Sequence, residues 1–286
     1  MSAWRLADRS IELDHPVIMG VLNVTPDSFS DGGAFFGIDS ALERAARLVA
    51  DGAEIIDIGG ESTRPGADPV SADVEISRVA PIIEQVSRTG VVVSVDTMKP
   101  EVARAAVEAG ARIINDVTGF VNPAMRRVAA DTGVGVVIMH MQGSPRTMQL
   151  DPHYDDVVTE VCDHLAARAA LCVLDGVASS SICVDPGIGF GKTVEHNLAL
   201  LDRLDRLVAL GYPVMLGASR KSFLGRILGI EEPELRDGAT AVTTALGVDR
   251  GAMVFRVHDP ARSREAAALA WAIVESRVLR RHPGMT

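Results

Sequence analysis

Short apolar runs alternate with longer amphipathic stretches along most of the chain. Eight runs rich in valine and isoleucine are continuous rather than alternating, as is typical of parallel strands that are buried on both faces. The predicted strands cover residues 17–22, 54–58, 91–95, 112–115, 135–139, 181–185, 213–217 and 253–257.

Helical patterns fill the intervals between these strands, at residues 40–50, 75–87, 101–108, 154–174, 196–210, 237–249 and 261–278. Eight strand–helix units predict an α/β fold, a (β/α)8 TIM barrel, with a doubly wound open sheet as the alternative. Residues 4–14 indicate a short N-terminal β-hairpin that could plug the barrel bottom. Because no linker-like break in composition occurs, we expect a single domain over residues 1–286, with its core at 17–278.

Composition narrows the class of protein. The chain has 286 residues and a formal net charge of −10, which argues against a nucleic-acid-binding surface. It has three cysteines without a CxxC pair, which makes a disulfide framework or a zinc site a poor fit and favours a reducing compartment. With neither a signal-peptide pattern nor an apolar run of about 18 residues, we expect a cytoplasmic protein.

Polar residues gather where the predicted strands end. In a TIM barrel the carboxyl ends of the strands build the active site. The residues found there are Asn23, the segment 59–66, Asp96, Asn115, Met139 with His140, Asp185, the run 219–222, and Arg256 with His258. We therefore expect one functional rim.

Asp96 and Asp185 each end an apolar run, so we expect both carboxylates to be partly buried, where an unpaired charge is costly. A ligand edge with two adjacent N–H groups, as in guanine or a pterin, would satisfy such a carboxylate. Asn115 can donate and accept, and Lys221 can donate to a ring carbonyl. These residues favour a flat heterocycle, while a metal pair held by two aspartates stays open.

The basic residues at the rim suggest a second chemical part. Arg256 and His258 follow the last predicted strand, and Asn23 follows the first, its neighbour in a closed barrel. Together they could cradle a diphosphate whose oxygens Mg²⁺ bridges.

Two glycine-containing segments resemble known loops only in part. Residues 187–193 end like a phosphate-binding P-loop, but Pro186 stands where that pattern requires glycine. We interpret this segment as a mobile lip beside Asp185, and residues 25–33 as an active-site lid. Since no nucleophile–base pair is evident, the site is expected to work by electrostatics and positioning.

Taken together, these segments resemble the dihydropteroate synthases, a family of pterin-binding enzymes. The matching stretches run in order from about residue 17 to 260. They are 19–33 (MGVLNVTPDSFSDGG), 57–66 (DIGGESTRPG), 94–97 (SVDT), 114–117 (INDV), 139–143 (MHMQG), 185–192 (DPGIGFGK), 217–225 (GASRKSFLG) and 255–259 (FRVHD).

The resemblance implies a homodimeric TIM-barrel transferase of folate biosynthesis. Such an enzyme condenses p-aminobenzoate with dihydropterin-methyl diphosphate, giving dihydropteroate and diphosphate, and sulfonamides would compete with p-aminobenzoate. It also implies Mg²⁺ near Asn23, with the loops at 25–33 and 61–66 closing over the substrates.

Site residues follow from the same resemblance. The pterin diphosphate would be bound by Thr63, Asp96, Asn115, Met139, Asp185, Gly217, Lys221, Arg256 and His258. The p-aminobenzoate side would be lined by Phe29, Thr63, Arg64, Pro65, Phe190, Lys221 and Ser222. The catalytic groups would be Asp27, Asp96, Lys221 and Arg256.

Three other functions share parts of this pattern. A methyltetrahydrofolate-type methyltransferase domain would use the same pterin cradle, but would not need the lid or the Ser-Arg-Lys run. A class I aldolase would use Lys221 as a Schiff base. A catalytically silent paralogue would bind a pterin or regulate a partner.

Overall fold

The computed structural model describes residues 3–24, 34–62 and 68–281. Strands β1 (Ala3–Arg5) and β2 (Ser10–Glu12) form an antiparallel hairpin. The parallel strands are β3 (Val17–Asn23), β4 (Ile55–Gly59), β5 (Val92–Asp96), β6 (Ile113–Asp116), β7 (Gly135–Met139), β8 (Ile182–Asp185), β9 (Met215–Leu216) and β10 (Val254–Val257).

Helices follow the parallel strands. They are α1 (Ala34–Ala50), α2 (Ala72–Ser87), α3 (Pro100–Ala109), α4 (Pro123–Thr132), α5 (Val157–Leu174), α6 (Val194–Asp202), α7 (Leu204–Val208), α8 (Ser222–Leu228), α9 (Asp237–Asp249) and α10 (Pro260–Arg281). Among these helices, none combines the length and apolar character that crossing a bilayer requires.

The eight parallel strands close into a barrel. Their order is β8-β7-β6-β5-β4-β3-β10-β9, so each strand pairs with a sequence neighbour and the last strand returns to the first. A parallel bridge between Val184 and Val214, with a 2.9 Å hydrogen bond from Val184 N to the Pro213 carbonyl, links β8 to the start of β9. The predicted TIM barrel is confirmed, and the open sheet is wrong.

The two faces of each strand bury different apolar sets. Side chains such as Ile18, Ile56 and Phe255 belong to the outer core with the helices. Their strand neighbours point into the barrel, because successive side chains alternate between faces. The inner cluster contains Val17, Met19, Ile55, Ile113, Val137, Cys183, Met215 and Val254. This alternation sets which residues reach the barrel mouth.

The N-terminal hairpin belongs to this inner cluster, as predicted for a plug. Trp4 is fully buried among the inner residues, and its indole Nε1 donates a 2.8 Å hydrogen bond to the carbonyl of Ser181. Gly135 provides the space, since a Cβ there would lie 2.5 Å from Leu6 Cδ2 and 3.3 Å from the Trp4 ring. The hairpin therefore fills the barrel interior from the amino-terminal end.

Some helix boundaries differ from the sequence prediction. The helix expected over 196–210 is broken at Arg203, and no proline or glycine marks this break. Helix α4 was missed, although Asn122 caps its start, Pro123 is its first residue and Gly133 ends it in a left-handed conformation. Those capping signals were present in the sequence.

Replacing Trp4 with alanine should destabilise the protein by about 3–5 kcal/mol, because it leaves a cavity and removes a buried hydrogen bond. Urea unfolding would measure the change. Leu269→Ala is the control, since Leu269 is 67% exposed on α10 and should change stability by less than about 0.5 kcal/mol. Equal effects of the two substitutions would show that the hairpin does not stabilise the barrel.

Candidate active site

A buried ion triad (Asp57, Arg256 and Asp96) lies inside the carboxyl-terminal end of the barrel. From β10, Arg256 donates through Nε to Asp57 Oδ2 at 2.6 Å and through Nη2 to Asp96 Oδ2 at 2.7 Å. Strand β3 lies between β10 and β4, so the arginine side chain spans β3 to reach β4 and β5. The triad joins residues that are 160 and 199 positions apart.

Asp57 is the group that sequence reasoning missed as a site residue. Its side chain is fully buried, and its Oδ2 also accepts a 3.2 Å hydrogen bond from Asn115 Nδ2. This bond leaves Asn115 Oδ1 as the acceptor end of the amide. The alternation of side chains between the two faces of a strand could have identified it. Asp57 lies two residues after Ile55 and therefore on the same, inward face.

Burial dominates the electrostatics of the two predicted carboxylates. It raises the pKa of Asp96 to about 7, against the opposing charge of Arg256 and with added repulsion from Asp57. It raises the pKa of Asp185 to about 6, against a hydrogen bond from Gly187 N and the charges of Lys221, Lys192 and Arg256. For Arg256, burial lowers the pKa, but Asp57 and Asp96 outweigh it and the net shift is upward.

Asp185 lies at the same mouth as the triad. One oxygen, Oδ1, accepts from Gly187 N at 2.7 Å. A Cβ built on Gly217 would lie 3.5 Å from the other oxygen and 4.0 Å from Arg256 Cβ. Gly217 therefore leaves the space beside this carboxylate open. Met139, paired in register with Asp185, is buried at the end of β7.

The Ser-Arg-Lys run forms a tight turn that places Lys221. Arg220 has a left-handed backbone with φ of 59°, a conformation that costs a non-glycine residue on the order of 1–3 kcal/mol. Two 2.8 Å hydrogen bonds from its guanidinium to Asp237 hold it, and Arg236 donates to its carbonyl at 2.9 Å. Ser222 is exposed and begins α8.

Lys221 lies over the ring of Phe190, with Nζ 3.9 Å from the ring centroid. Phe190 packs in an apolar cluster with Met139 and Met148. Hydrogen bonds hold the segment around Phe190 in place. Its peptide groups bond to Gln149 Nε2 at 2.6 Å, Tyr154 Oη at 2.8 Å and Asn197 Oδ1 at 2.7 Å. This bonding does not fit the mobile lip that we predicted.

His258 and Asn23 lie on neighbouring strands of the closed barrel. His258 Nδ1 lies 3.0 Å from Ser219 Oγ, and its carbonyl accepts a 2.9 Å hydrogen bond from Arg44. Asn23 is the exposed last residue of β3, in register with Gly59. Both residues stand at the rim, as predicted.

A second buried ion network lies beside the end of β4. Lys99 Nζ donates to Glu61 at 2.8 Å and to Glu75 at 2.6 Å, and the Glu75 side chain is fully buried on α2. Glu61 also accepts from Val70 N at 3.0 Å. A hydrogen bond therefore joins Glu61 and Val70, which lie on either side of residues 63–67 in the sequence.

Several predicted residues lie outside the described part of the chain. Asp27 and Phe29 of the expected lid, and Thr63, Arg64 and Pro65 of the second loop, fall in these gaps.

His140, which we expected at the rim, instead packs edge-on against His164 of α5, with 4.8 Å between the ring centroids. His140 directly follows β7 and comes one residue after the inward-facing Met139, so its side chain points to the outer face.

Comparison with known proteins gives a consistent result. Residues 19–258 match the family model described as pterin binding enzyme. The dihydropteroate synthase of Escherichia coli K12 is 43% identical over 274 residues, 96% of this chain and 97% of that protein.

Solved structures of high similarity include the dihydropteroate synthase of Xanthomonas albilineans. The structure solved with 4-aminobenzoic acid has a TM-score of 0.90 and 44% identity, and covers 96% of this chain and 98% of that one. Another, in complex with 7,8-dihydropteroate, has a TM-score of 0.86 and 42% identity, covering 96% and 99%.

Replacing Arg256 with methionine should cost about 3–5 kcal/mol of stability at pH 8, because two buried carboxylates lose their counter-charge. The pKa of Asp96 is already raised and should rise further. A carboxyl with a raised folded-state pKa stabilises the protein at low pH and loses that contribution as pH rises through the pKa. The loss should therefore shrink at pH 5.

Urea unfolding at both pH values would measure this effect. Arg262→Met is the matched control, because Arg262 is exposed and pairs only loosely with Asp259 at 3.5 Å. A loss from Arg256→Met that is the same at pH 5 and pH 8 would contradict the raised pKa of Asp96.

Proposed function

The chain belongs to the dihydropteroate synthase family of pterin-binding enzymes, and from that membership we propose that it condenses p-aminobenzoate with (7,8-dihydropterin-6-yl)methyl diphosphate. The products are 7,8-dihydropteroate and diphosphate, so the enzyme is a transferase of folate biosynthesis. The observation that carries the proposal is the set of buried hydrogen-bonding groups, Asp96, Asn115 and Asp185, around Arg256 at one barrel mouth.

The pterin ring would lie among these groups. Asp185 would accept hydrogen bonds from the amino-pyrimidine edge. Asn115 donates to Asp57 through Nδ2, so its Oδ1 would accept from a further ring N–H. Asp96 Oδ1 is buried, and within the described residues it has no hydrogen-bond partner, which suits a ligand donor. Lys221 would donate to the ring carbonyl, and Met139 and Arg256 would pack against the ring faces.

The diphosphate would lie toward Asn23, Arg256 and His258. Within the described ranges, histidine, cysteine and carboxylate side chains do not gather in groups of three or more that could hold a metal ion. This sparse donor set fits Mg²⁺, which often keeps water ligands and takes oxygens from substrate phosphates. The Asn23 amide oxygen would be its protein ligand. The bound cation would neutralise the leaving diphosphate.

The p-aminobenzoate side would be lined by Phe190, Lys221 and Ser222, together with Phe29, Thr63, Arg64 and Pro65 from the two loops. Sulfonamides resemble p-aminobenzoate and would compete for this surface. Lys221 would thus contact both substrates.

The reaction requires little general acid–base catalysis from the protein. The C–O bond to diphosphate breaks first and leaves a cation delocalised over the pterin ring, which the carboxylates of Asp96 and Asp27 stabilise. The aniline nitrogen then attacks to form the C–N bond, and its proton leaves to solvent. An aniline is unprotonated at neutral pH, so no strong base is required before attack. A ternary crystal complex showing only a concerted, in-line geometry would contradict this order.

Release of diphosphate on mixing both substrates with Mg²⁺ tests the activity directly. The expected result is stoichiometric diphosphate and dihydropteroate. Binding of the pterin without diphosphate release would instead indicate a silent pterin-binding paralogue.

Replacing Asp185 with asparagine should weaken pterin binding by about 1.5–3 kcal/mol, because a charged acceptor becomes in part a donor facing a ring donor. The wild-type affinity should also fall below about pH 6, where Asp185 takes up a proton, and this decline should be smaller in the variant. Calorimetry with a pterin analogue across pH would measure both effects. Asp202→Asn, on an exposed carboxylate, is the control. Unchanged affinity in Asp185→Asn would refute the assignment.

The same proposal includes a single domain over residues 1–286, with the hairpin at 4–14 and the core at 17–278, acting in the cytoplasm. Three buried free cysteines, Cys162, Cys172 and Cys183, support a reducing compartment.

We also propose a homodimer that forms through the outer face of α9. Exposed Gly238, Val242 and Leu246 follow one another at intervals of four residues, and the helix carries charge only at its two ends, Asp237 and Asp249. A second copy related by a twofold axis would cover this apolar face, and the two aspartates are each paired within their own chain, Asp237 with Arg220 and Asp249 with Arg277.

Leu246→Glu should convert the dimer to a monomer, because it places two carboxylates in an apolar contact. Light scattering coupled to size exclusion would measure the mass. Val121→Glu, at another exposed apolar residue, should leave the dimer intact. A monomeric wild type would overturn the dimer, and a dimeric Leu246→Glu variant would overturn this choice of surface.

A further inference from the structure

Lys192 lies near the end of the segment that resembles a P-loop, yet it does not face solvent. It is 3% exposed, and its Nζ donates to the Phe190 carbonyl at 2.9 Å. The other contacts are His140 Nδ1 at 3.0 Å and the His140 carbonyl at 3.5 Å. All three N–H groups of the ammonium therefore have acceptors.

His140 is suited to this acceptor role. Burial and the charges of Lys192 and His164 lower its pKa to about 2, so the ring stays neutral. In the tautomer with the proton on Nε2, Nδ1 has the lone pair that accepts from Lys192. The second acceptor, the Phe190 carbonyl, belongs to the residue whose ring lies under Lys221. Lys192 thus ties His140, directly after β7, to the backbone of Phe190.

The backbone between Asp185 and Lys192 has little stiffness of its own. Gly187, Gly189 and Gly191 all have positive φ, at 66°, 82° and 63°. Glycine permits many conformations, so the position of Phe190 between Gly189 and Gly191 depends on external contacts. Burial lowers the pKa of Lys192 to about 7, against the attraction of Asp185 and with added repulsion from Lys221. A buried amine is therefore a costly contact, and an apolar side chain of the same size would serve packing better. This cost fits an amine at residue 192 that serves position rather than stability.

We infer that Lys192 is a positioning residue that sets the Phe190 ring for the amine substrate. The inference rests on the proposed function, in which Phe190 lines the p-aminobenzoate side. Lys192 touches neither substrate. Its effect should fall on p-aminobenzoate, while the triad and Asp185 continue to hold the pterin.

Lys192→Met tests the inference, because methionine keeps the apolar volume and removes the three donors. The KM for p-aminobenzoate should rise by roughly tenfold, as expected for losing charged hydrogen bonds that orient a binding group. The KM for the pterin diphosphate should change less than about twofold. In a Phe190→Leu background, Lys192→Met should add little, since interacting residues give non-additive effects.

Tyr154→Phe is the matched control, because it removes a hydrogen bond to Gly191 of the same segment without touching Phe190. Its KM for p-aminobenzoate should stay within about twofold of wild type. An equal rise from Tyr154→Phe, equal rises in both KM values, or additivity with Phe190→Leu would each overturn the inference.

If the methionine variant does not fold, Lys192→Gln replaces it. Glutamine retains an uncharged NH2 donor group, so this variant should show a smaller rise in the same KM. Unchanged kinetics in a folded Lys192 variant would overturn the inference while leaving the proposed function in place. A wild-type enzyme that releases no diphosphate would instead refute the proposed function itself.

Discussion

The ion triad of Asp57, Arg256 and Asp96 is the constraint on which the barrel mouth depends. Two carboxylates are buried within hydrogen-bond reach of one guanidinium, so removing the arginine would leave both without a counter-charge in an apolar interior. The triad also orients Asn115 through Asp57. One buried network therefore fixes three strands, an amide orientation and the charge of the pocket together.

This arrangement is expensive for the protein by itself. Burial raises the pKa values of Asp96 and Asp185 to about 7 and about 6, which means that their ionised forms are disfavoured in the folded chain. A ligand that supplies N–H donors relieves part of this cost on binding. These buried acceptors would suit the flat, donor-rich ring proposed above, at some expense of stability.

Around this centre, hydrogen bonds hold the rim in place. The strained turn at Arg220 is fixed by Asp237, and the glycine-rich segment is fixed by Lys192, Tyr154 and Asn197. Such pre-organisation matches a reaction that needs a well-placed leaving group and amine more than a strong base.

The sequence by itself determined the strands, the barrel and several rim residues, such as Asp96 and Asp185, because buried parallel strands and their polar ends leave a local pattern. It placed His140 at the rim wrongly. The alternation of inward and outward side chains along β4 also indicated Asp57, two residues beyond Ile55, although we did not use it. Only the tertiary structure decided that Arg256 pairs with Asp57 and Asp96 rather than with nearby Asp259, and that His140 and Lys192 face each other. Those pairings join strands and loops distant in the chain, and the closure and twist of the sheet select them.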